Sequence, residues 1–483
     1  MAVDTHPRTP KVHPRTPKVH ARTPKAHART PKAHARTPKA HARTPKAHAV
    51  AQSPRRDRRP THRMDLGERA TRRLAALGVA FICALVCYHV VLRSGELGIS
   101  PLTVFYTVIV SLYVVSRFAF AAFYQPPEDT GLEPHVAVIV PAFNEGEAVA
   151  RTIHSVLALD YPADKLEVVV INDGSSDDTW ERILTAADEH PPGAVRCIDL
   201  GSNQGKRAAM ATGMRATTAE IVLFVDSDSM PARMGLRKLV QGFSDPRVGC
   251  VAGMTHVRNA STNTLTRMQA ARYYISFQLL KKAESVLGTV SCCPGCFSAY
   301  RREAILPLIN DWEHQRFLGV ECTYGDDRAL TNRVLKTGWR SLYDSRAEAW
   351  TDAPDDYHKF FKQQLRWKKS WSREGPILLS HIWRSHPLAL PAVLLATIAG
   401  LLSPFVLGWN LIVAPLTTGN FPIVYLLALY LIALAYGLLY RSQRNDGHWL
   451  YAIVGTFFYI LFSFQLLWAV ARIRDGSWGT REA

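Results

Sequence analysis

An α/β domain inserted between transmembrane helices is the fold class that this 483-residue sequence predicts. Two apolar stretches precede a mixed region of about 260 residues, and three more follow it. Inside the mixed region strand-like and helix-like segments alternate, the pattern of a mainly parallel sheet. Its strand-like runs end in polar turns, most plainly in "IVLFVDSDSM" (Ile221 to Met230), where five apolar residues meet two aspartates.

The first apolar stretches, Leu74 to Leu92 and Ile99 to Tyr124, can each span about 30 Å of hydrocarbon. Arg93 to Gly98 links them as a hairpin. With the basic N-terminal tail inside, the hairpin returns the chain to the cytoplasm at Gln125. Pro387 to Ala414, Phe421 to Tyr440 and Trp449 to Val470 are the later stretches.

In the insert, His135 to Val140 reads as a strand ending at "PAFNE", followed by a helix from about Glu147 to Ala158. Leu166 to Asn172 is a second strand, ending at "DGSSDD" (Asp173 to Asp178). Asp177 and Asp178 read as helix-start residues, because carboxylates complement the N-terminal dipole. "GKRAAMATGM" opens a third helix, and "IVLFV" is the next strand. Parallel strands deliver chemistry at their carboxyl ends, so these motifs should share one rim. Asp226 and Asp228, at i and i+2, can face one hard cation such as Mg2+ or Mn2+; the bland alternative is a solvated turn.

Charge is concentrated at the start. Residues 1 to 67 hold 17 Lys and Arg against 3 Asp, so they carry +14 of the formal +18. His6 to Ala47 is six seven-residue units, two HPRTPKV and four HARTPKA. A proline in each unit and the lack of an apolar seam exclude a coiled coil and predict disorder. Such a polycation suits anionic lipid headgroups, at about 1 kcal/mol per charge. No specific nucleic-acid partner is expected. Cys293-Pro-Gly-Cys296 has redox or half-zinc spacing, but no second pair completes a metal site, and reduced thiols are the default in a cytosolic domain.

PAFNE, INDGSSDD, QGKR, VDSDS, YGDDR and QQLRW, in this order, resemble the processive inverting glycosyltransferases of GT-A type: hyaluronan synthases, chitin synthases and the chitooligosaccharide synthases of nodulation. The resemblance covers roughly Val136 to Trp371. It implies a multi-pass plasma-membrane enzyme that takes UDP-sugar donors and extends a polysaccharide acceptor. By that likeness Asp173 would receive the uracil or ribose, Asp228 with Asp226 would hold the divalent metal, and Lys206 would be a phosphate cation. Arg207 reads equally as a surface charge or a phosphate contact. Asp327, with Asp326 beside it, would be the general base for the acceptor hydroxyl.

Tyr357 to Glu374 reads as an amphipathic helix at the membrane surface, with Gln363, Arg366 and Trp367 on one face. Its apolar arc includes Phe360, Phe361 and Trp371, while Lys362, Arg366 and Lys369 lie opposite. The resemblance puts Trp367 against the acceptor sugar and Arg366 against the diphosphate. "SWGTRE" resembles the gating loop of hyaluronan and chitin synthases, so Trp478, Thr480 and Arg481 would contact the nucleotide. Three full crossings would leave that loop outside, so one stretch must be re-entrant, interfacial or doubled; Ser403-Pro404 is a candidate break.

The expected layout follows: a disordered basic tail over 1–67, a transmembrane hairpin over 68–126 and a cytosolic GT-A domain over 127–353. Interfacial helices over 354–386, transmembrane helices over 387–474 and a gating-loop tail over 475–483 complete it. "GDDRALTN" and "RWKKSWSRE" favour a hyaluronan product, whereas "CCPGCFSAYRR" stands nearer the chitin-type enzymes. A nonprocessive transferase acting on polyprenyl phosphate would need neither QxxRW nor the WGTR tail. A nonenzymatic anchor binding nucleic acid through its basic tail would need none of the six motifs.

Overall fold

The computed structural model describes residues 66–419 and 421–476. The HPRTPKV and HARTPKA repeats, and Trp478, Thr480 and Arg481, lie outside the described residues.

The domain is built on one eight-stranded sheet in the order β3-β2-β1-β4-β7-β6-β10-β5. These are β1 (Val136–Ala142), β2 (Leu166–Asn172), β3 (Val195–Asp199), β4 (Ile221–Phe224), β5 (Met230–Pro231), β6 (Val248–Val257) and β7 (Ser298–Arg301). β8 (Arg316–Phe317) and β9 (Val320–Glu321) form a separate antiparallel pair, and β10 (Arg340–Thr351) rejoins the sheet. β1 and β6 are buried along their whole length, which is why their sequences read as continuous apolar runs rather than alternating ones.

The expectation of a mainly parallel sheet needs one correction. β1 pairs in parallel with β2 and β4, and β6 with β10, but β7 lies antiparallel between β4 and β6. The cause is connectivity. β6 is followed by the helices Thr264–Ile275 and Lys282–Val286 and then by an irregular loop, which feeds β7 back from the opposite end. The second helix boundary also shifts: it starts at Thr179, with Asp178 as N-cap and Asp177 Oδ1 accepting the Thr179 N–H at 3.0 Å.

Among the described residues five helices are long and apolar enough to cross a membrane: Arg69–Leu92, Pro101–Ala122, Ala389–Thr418, Ile423–Gln443 and Trp449–Ala471. Each matches a stretch expected from the sequence. Pro404 sits inside a continuous helix and does not break it. A 3-10 segment at Phe462–Phe464 tightens the fifth stretch without interrupting it.

Both ends of that fifth stretch meet the α/β domain. Near its start the Tyr451 hydroxyl accepts from Arg267 at 3.2 Å. Beyond its end, Tyr324 Oη donates to the Ile473 carbonyl at 3.3 Å, and Lys369 Nζ donates to the Asp475 carbonyl at 2.8 Å. Between these ends Tyr451, Phe458, Tyr459 and Phe462 pack with Leu265, Met268 and Phe360, so the stretch lies against the domain along its length.

Candidate active site

A cavity of about 710 Å³ opens at the carboxyl ends of the parallel strands. It is lined by Asp173 after β2, by Asp226 and Asp228 after β4, by Lys206, by Asp326 and Asp327, and by Gln363, Arg366 and Trp367. Every described residue to which the sequence assigned a role is thus brought to one space.

The end of the cavity around Asp173 is shaped by a glycine. Gly174 has φ of +65°, and a Cβ there would stand 2.3 Å from the Ser202 backbone. Only glycine lets the following loop lie this close. The loop then donates the Gln204 N–H to Asp173 Oδ1 at 2.8 Å. Burial pushes the Asp173 carboxyl above its ordinary range, against the pull of the Gln204 and Gly205 amides.

At the end of β4, Ser227 is buried and its carbonyl accepts from Thr152 Oγ1 at 2.8 Å. The turn is thereby pinned, and Asp226 and Asp228 both reach the cavity. Asp226 forms an ion pair with Lys206. Asp228 Oδ1 accepts from Ser229 Oγ and from Thr351 Oγ1, each at 3.2 Å. Among the described residues no group of three or more His, Cys, Asp or Glu side chains could hold a metal ion. Two carboxylates with hydroxyl support still fit a hard divalent ion that keeps its other positions for phosphate and water oxygens.

Asp327 opens the helix Asp326–Lys336 after Gly325, whose φ is +75°. Its Oδ1 accepts the Arg328 N–H at 2.7 Å, and its Oδ2 accepts from the Cys292 thiol at 3.3 Å. Burial pushes that thiol well above the usual cysteine range, so it stays protonated and serves as donor. Asp326, expected to share the catalytic work, turns the other way. It is buried and pairs with Arg207 Nε at 2.7 Å.

Arg207 is thus neither a surface charge nor a phosphate contact. Its guanidinium also donates to the Trp312 carbonyl at 2.8 Å and to Gln315 Oε1 at 2.9 Å. Gln315 Nε2 passes the network on to Glu374 at 2.9 Å, where Arg373 and Asn332 donate as well. Burial opposes ionisation of Glu374, yet these donors, Arg373 foremost, hold its carboxyl below the ordinary range. The network ties the Lys206–Arg215, Asp326–Lys336 and Tyr357–Leu379 helices together.

The last of these corrects the surface-helix expectation. Its apolar side is partly open, with Phe361 and Trp367 exposed, while Lys369, Arg373 and Glu374 on the charged side are buried. The charged face docks on the domain and on the returning C-terminal segment, where Lys369 meets Asp475. Trp367 faces the cavity beside Tyr273, ring centroids 6.1 Å apart.

Tyr273, Lys281, Arg272 and Cys292 also line the cavity and were not assigned roles from the sequence. They carry no recognisable motif. Both thiols of the Cys293-Pro-Gly-Cys296 pair are free and buried. Cys296 shares a 2.9 Å hydrogen bond with Thr255, and Cys293 a 3.4 Å one with Ser341.

A mixed α/β sheet whose carboxylate and cation rim opens beneath apolar helices long enough to span a membrane is the architecture of a membrane-embedded transferase of nucleotide-activated sugars. The chain belongs to glycosyltransferase family 2: residues 134–370 match the model described as "Glycosyltransferase like family 2". It is 29% identical over 416 residues to a hyaluronan synthase of Streptococcus pyogenes serotype M3, covering 84% of this chain and 96% of that protein. It is 33% identical over 359 residues to an N-acetylglucosaminyltransferase of Azorhizobium caulinodans, covering 73% and 88%. Among solved structures, a mannosyltransferase from Pyrobaculum calidifontis in complex with GDP-Man and Mn2+ shares the fold, with TM-score 0.52 and 20% identity over 77% of this chain and 98% of that one.

Proposed function

We propose that this protein is a processive β-glycosyltransferase of the plasma membrane, catalytic domain in the cytoplasm, that polymerises UDP-GlcNAc and UDP-GlcA into hyaluronan. The observation that carries the reading is the single cavity in which donor-side carboxylates, an acceptor-side carboxylate and an aromatic pair meet beneath membrane helices. Coverage of nearly the whole length of a hyaluronan synthase supports the product. The higher identity to an N-acetylglucosaminyltransferase keeps a second reading, a polymer of GlcNAc alone.

In this mechanism Asp173 and its overlying loop hold the nucleoside. Lys206 and Arg366 place positive charge against the diphosphate, which gathers negative charge as it leaves. Asp226 and Asp228 would hold Mg2+ or Mn2+, which when bound supplies Lewis-acid neutralisation of that leaving group. Trp367 and Tyr273 flank the acceptor sugar. Asp327 takes the proton from the acceptor hydroxyl as it attacks the anomeric carbon. Direct displacement on an α-linked donor yields a β-linkage. Anionic lipids are the partner proposed for the basic N-terminal tail.

The test is a product assay on membranes given UDP-GlcNAc with and without UDP-GlcA. Polymer that needs both donors and is cut by hyaluronidase is expected; a chitinase-sensitive product from UDP-GlcNAc alone would replace the first reading by the second. Thorough chelation is expected to abolish output, and added Mg2+ or Mn2+ to restore it. Undiminished turnover after chelation would remove the metal from the mechanism.

Trp367→Ala should slow chain elongation roughly tenfold, the worth of a stacking contact of about 1.4 kcal/mol. UDP-sugar hydrolysis, which needs no acceptor, should fall much less. Equal losses in the two assays would place Trp367 outside the acceptor site.

A further inference from the structure

The cavity holds more positive charge than a diphosphate requires. Lys206 is matched by Asp226, but Lys281, Arg272 and Arg328 also line the space. Among the described residues none of these three stands within ion-pair distance of a carboxylate of another residue's side chain in the salt-bridge geometry that Lys206 and Arg207 adopt. Lys281 and Arg328 are half-buried and Arg272 is exposed, and a half-buried cation without a counter-ion is costly unless a ligand supplies the charge.

Their placement says which ligand. Lys281 Nζ donates to the Cys292 carbonyl, and the Cys292 thiol donates to Asp327 Oδ2 at 3.3 Å. One residue therefore separates the ammonium from the carboxylate proposed to activate the acceptor hydroxyl. Tyr273, which packs against Trp367, leads into a π-helical turn over Ser276–Lys281. In a regular helix Lys281 would lie about 80° round from Tyr273. The wider turn brings Tyr273, Phe277 and Lys281 back to one face, and all three line the cavity. Lys281 also stands 5.3 Å from the Phe277 ring centroid. Arg272, next to Tyr273, lies over the Tyr459 ring at 5.2 Å, and burial together with Arg272 pushes the nearby Lys368 ammonium down to about 8.

Resting on the hyaluronan reading, we propose that Lys281, backed by Arg272, is a specificity-determining residue that binds the carboxylate of a glucuronate at the acceptor end of the chain. A GlcNAc acceptor carries no charge at that position. The two alternating transfers should therefore depend on Lys281 unequally.

The test uses membranes bearing nascent chains. Exposure to UDP-GlcA alone pauses chains with uronate ends, and exposure to UDP-GlcNAc alone pauses them with GlcNAc ends. After washing, a single labelled sugar is added from the other donor and the two rates are compared. In Lys281→Gln the ratio of GlcNAc transfer onto uronate ends to GlcA transfer onto GlcNAc ends should fall about tenfold, with Lys281→Arg restoring most of it. An unchanged ratio overturns the assignment while leaving the hyaluronan reading intact. Should Lys281→Gln fail to fold, Arg272→Gln carries the same comparison with the same sign. Wild-type chains that do not pause in UDP-GlcNAc alone would refute the hyaluronan reading, and the uronate site with it, before any variant is made.

Discussion

Asp327→Asn is expected to leave UDP binding near normal and to lower polymer output by about 10²–10⁴-fold. The amide is isosteric with the carboxylate and can still meet the Cys292 thiol and the Arg328 N–H, so the helix start around it should survive. It cannot take a proton from a sugar hydroxyl. Radiolabelled sugar incorporation measures the loss, and competition by UDP measures binding. Output within a few-fold of wild type would show that another group accepts the proton, whereas a parallel loss of UDP affinity would mark Asp327 as part of the donor pocket.

Asp326→Ala is expected to destabilise the domain by about 3–5 kcal/mol, the usual result of leaving a buried charge without its partner. Arg207 and Asp326 are each almost wholly enclosed, so solvent cannot take over the lost interaction. For a domain of this size the midpoint of thermal unfolding should drop by on the order of 10 °C, read in detergent-solubilised protein. The control is the double variant Asp326→Leu with Arg207→Met. Removing both charges should recover much of the loss, because the penalty lies in the orphaned guanidinium rather than in the missing attraction. A double variant as unstable as the single one would mean that packing around Trp312, and not charge, sets the cost.

What the sequence revealed and what it concealed divide along the range of the interaction. β2 was read to its last residue, and the helices after β1 and β2 to within two, because periodicity and turn residues are local signals. The two aspartates of VDSDS were legible for the same reason: a buried strand can end in charge only at a rim. β7 was not, since a four-residue strand running against its neighbours is fixed by pairing with residues far along the chain. Arg207 and Asp326 lie 119 positions apart, so nothing local distinguished their burial from exposure. Lys281 was hidden by its helix, for only the π-helical turn brings it onto the face of Tyr273.

The brace from Arg207 through Gln315 to Glu374 carries a mechanical implication for a polymerase. It ties the mount of Asp327 to the mount of Trp367, so on the roles proposed for these two residues the platform beneath the last sugar and the group that activates it would keep a fixed span. On that reading the chain would slip forward by one unit over a stationary floor after each addition, with the protein acting as a ratchet frame and not as a moving arm.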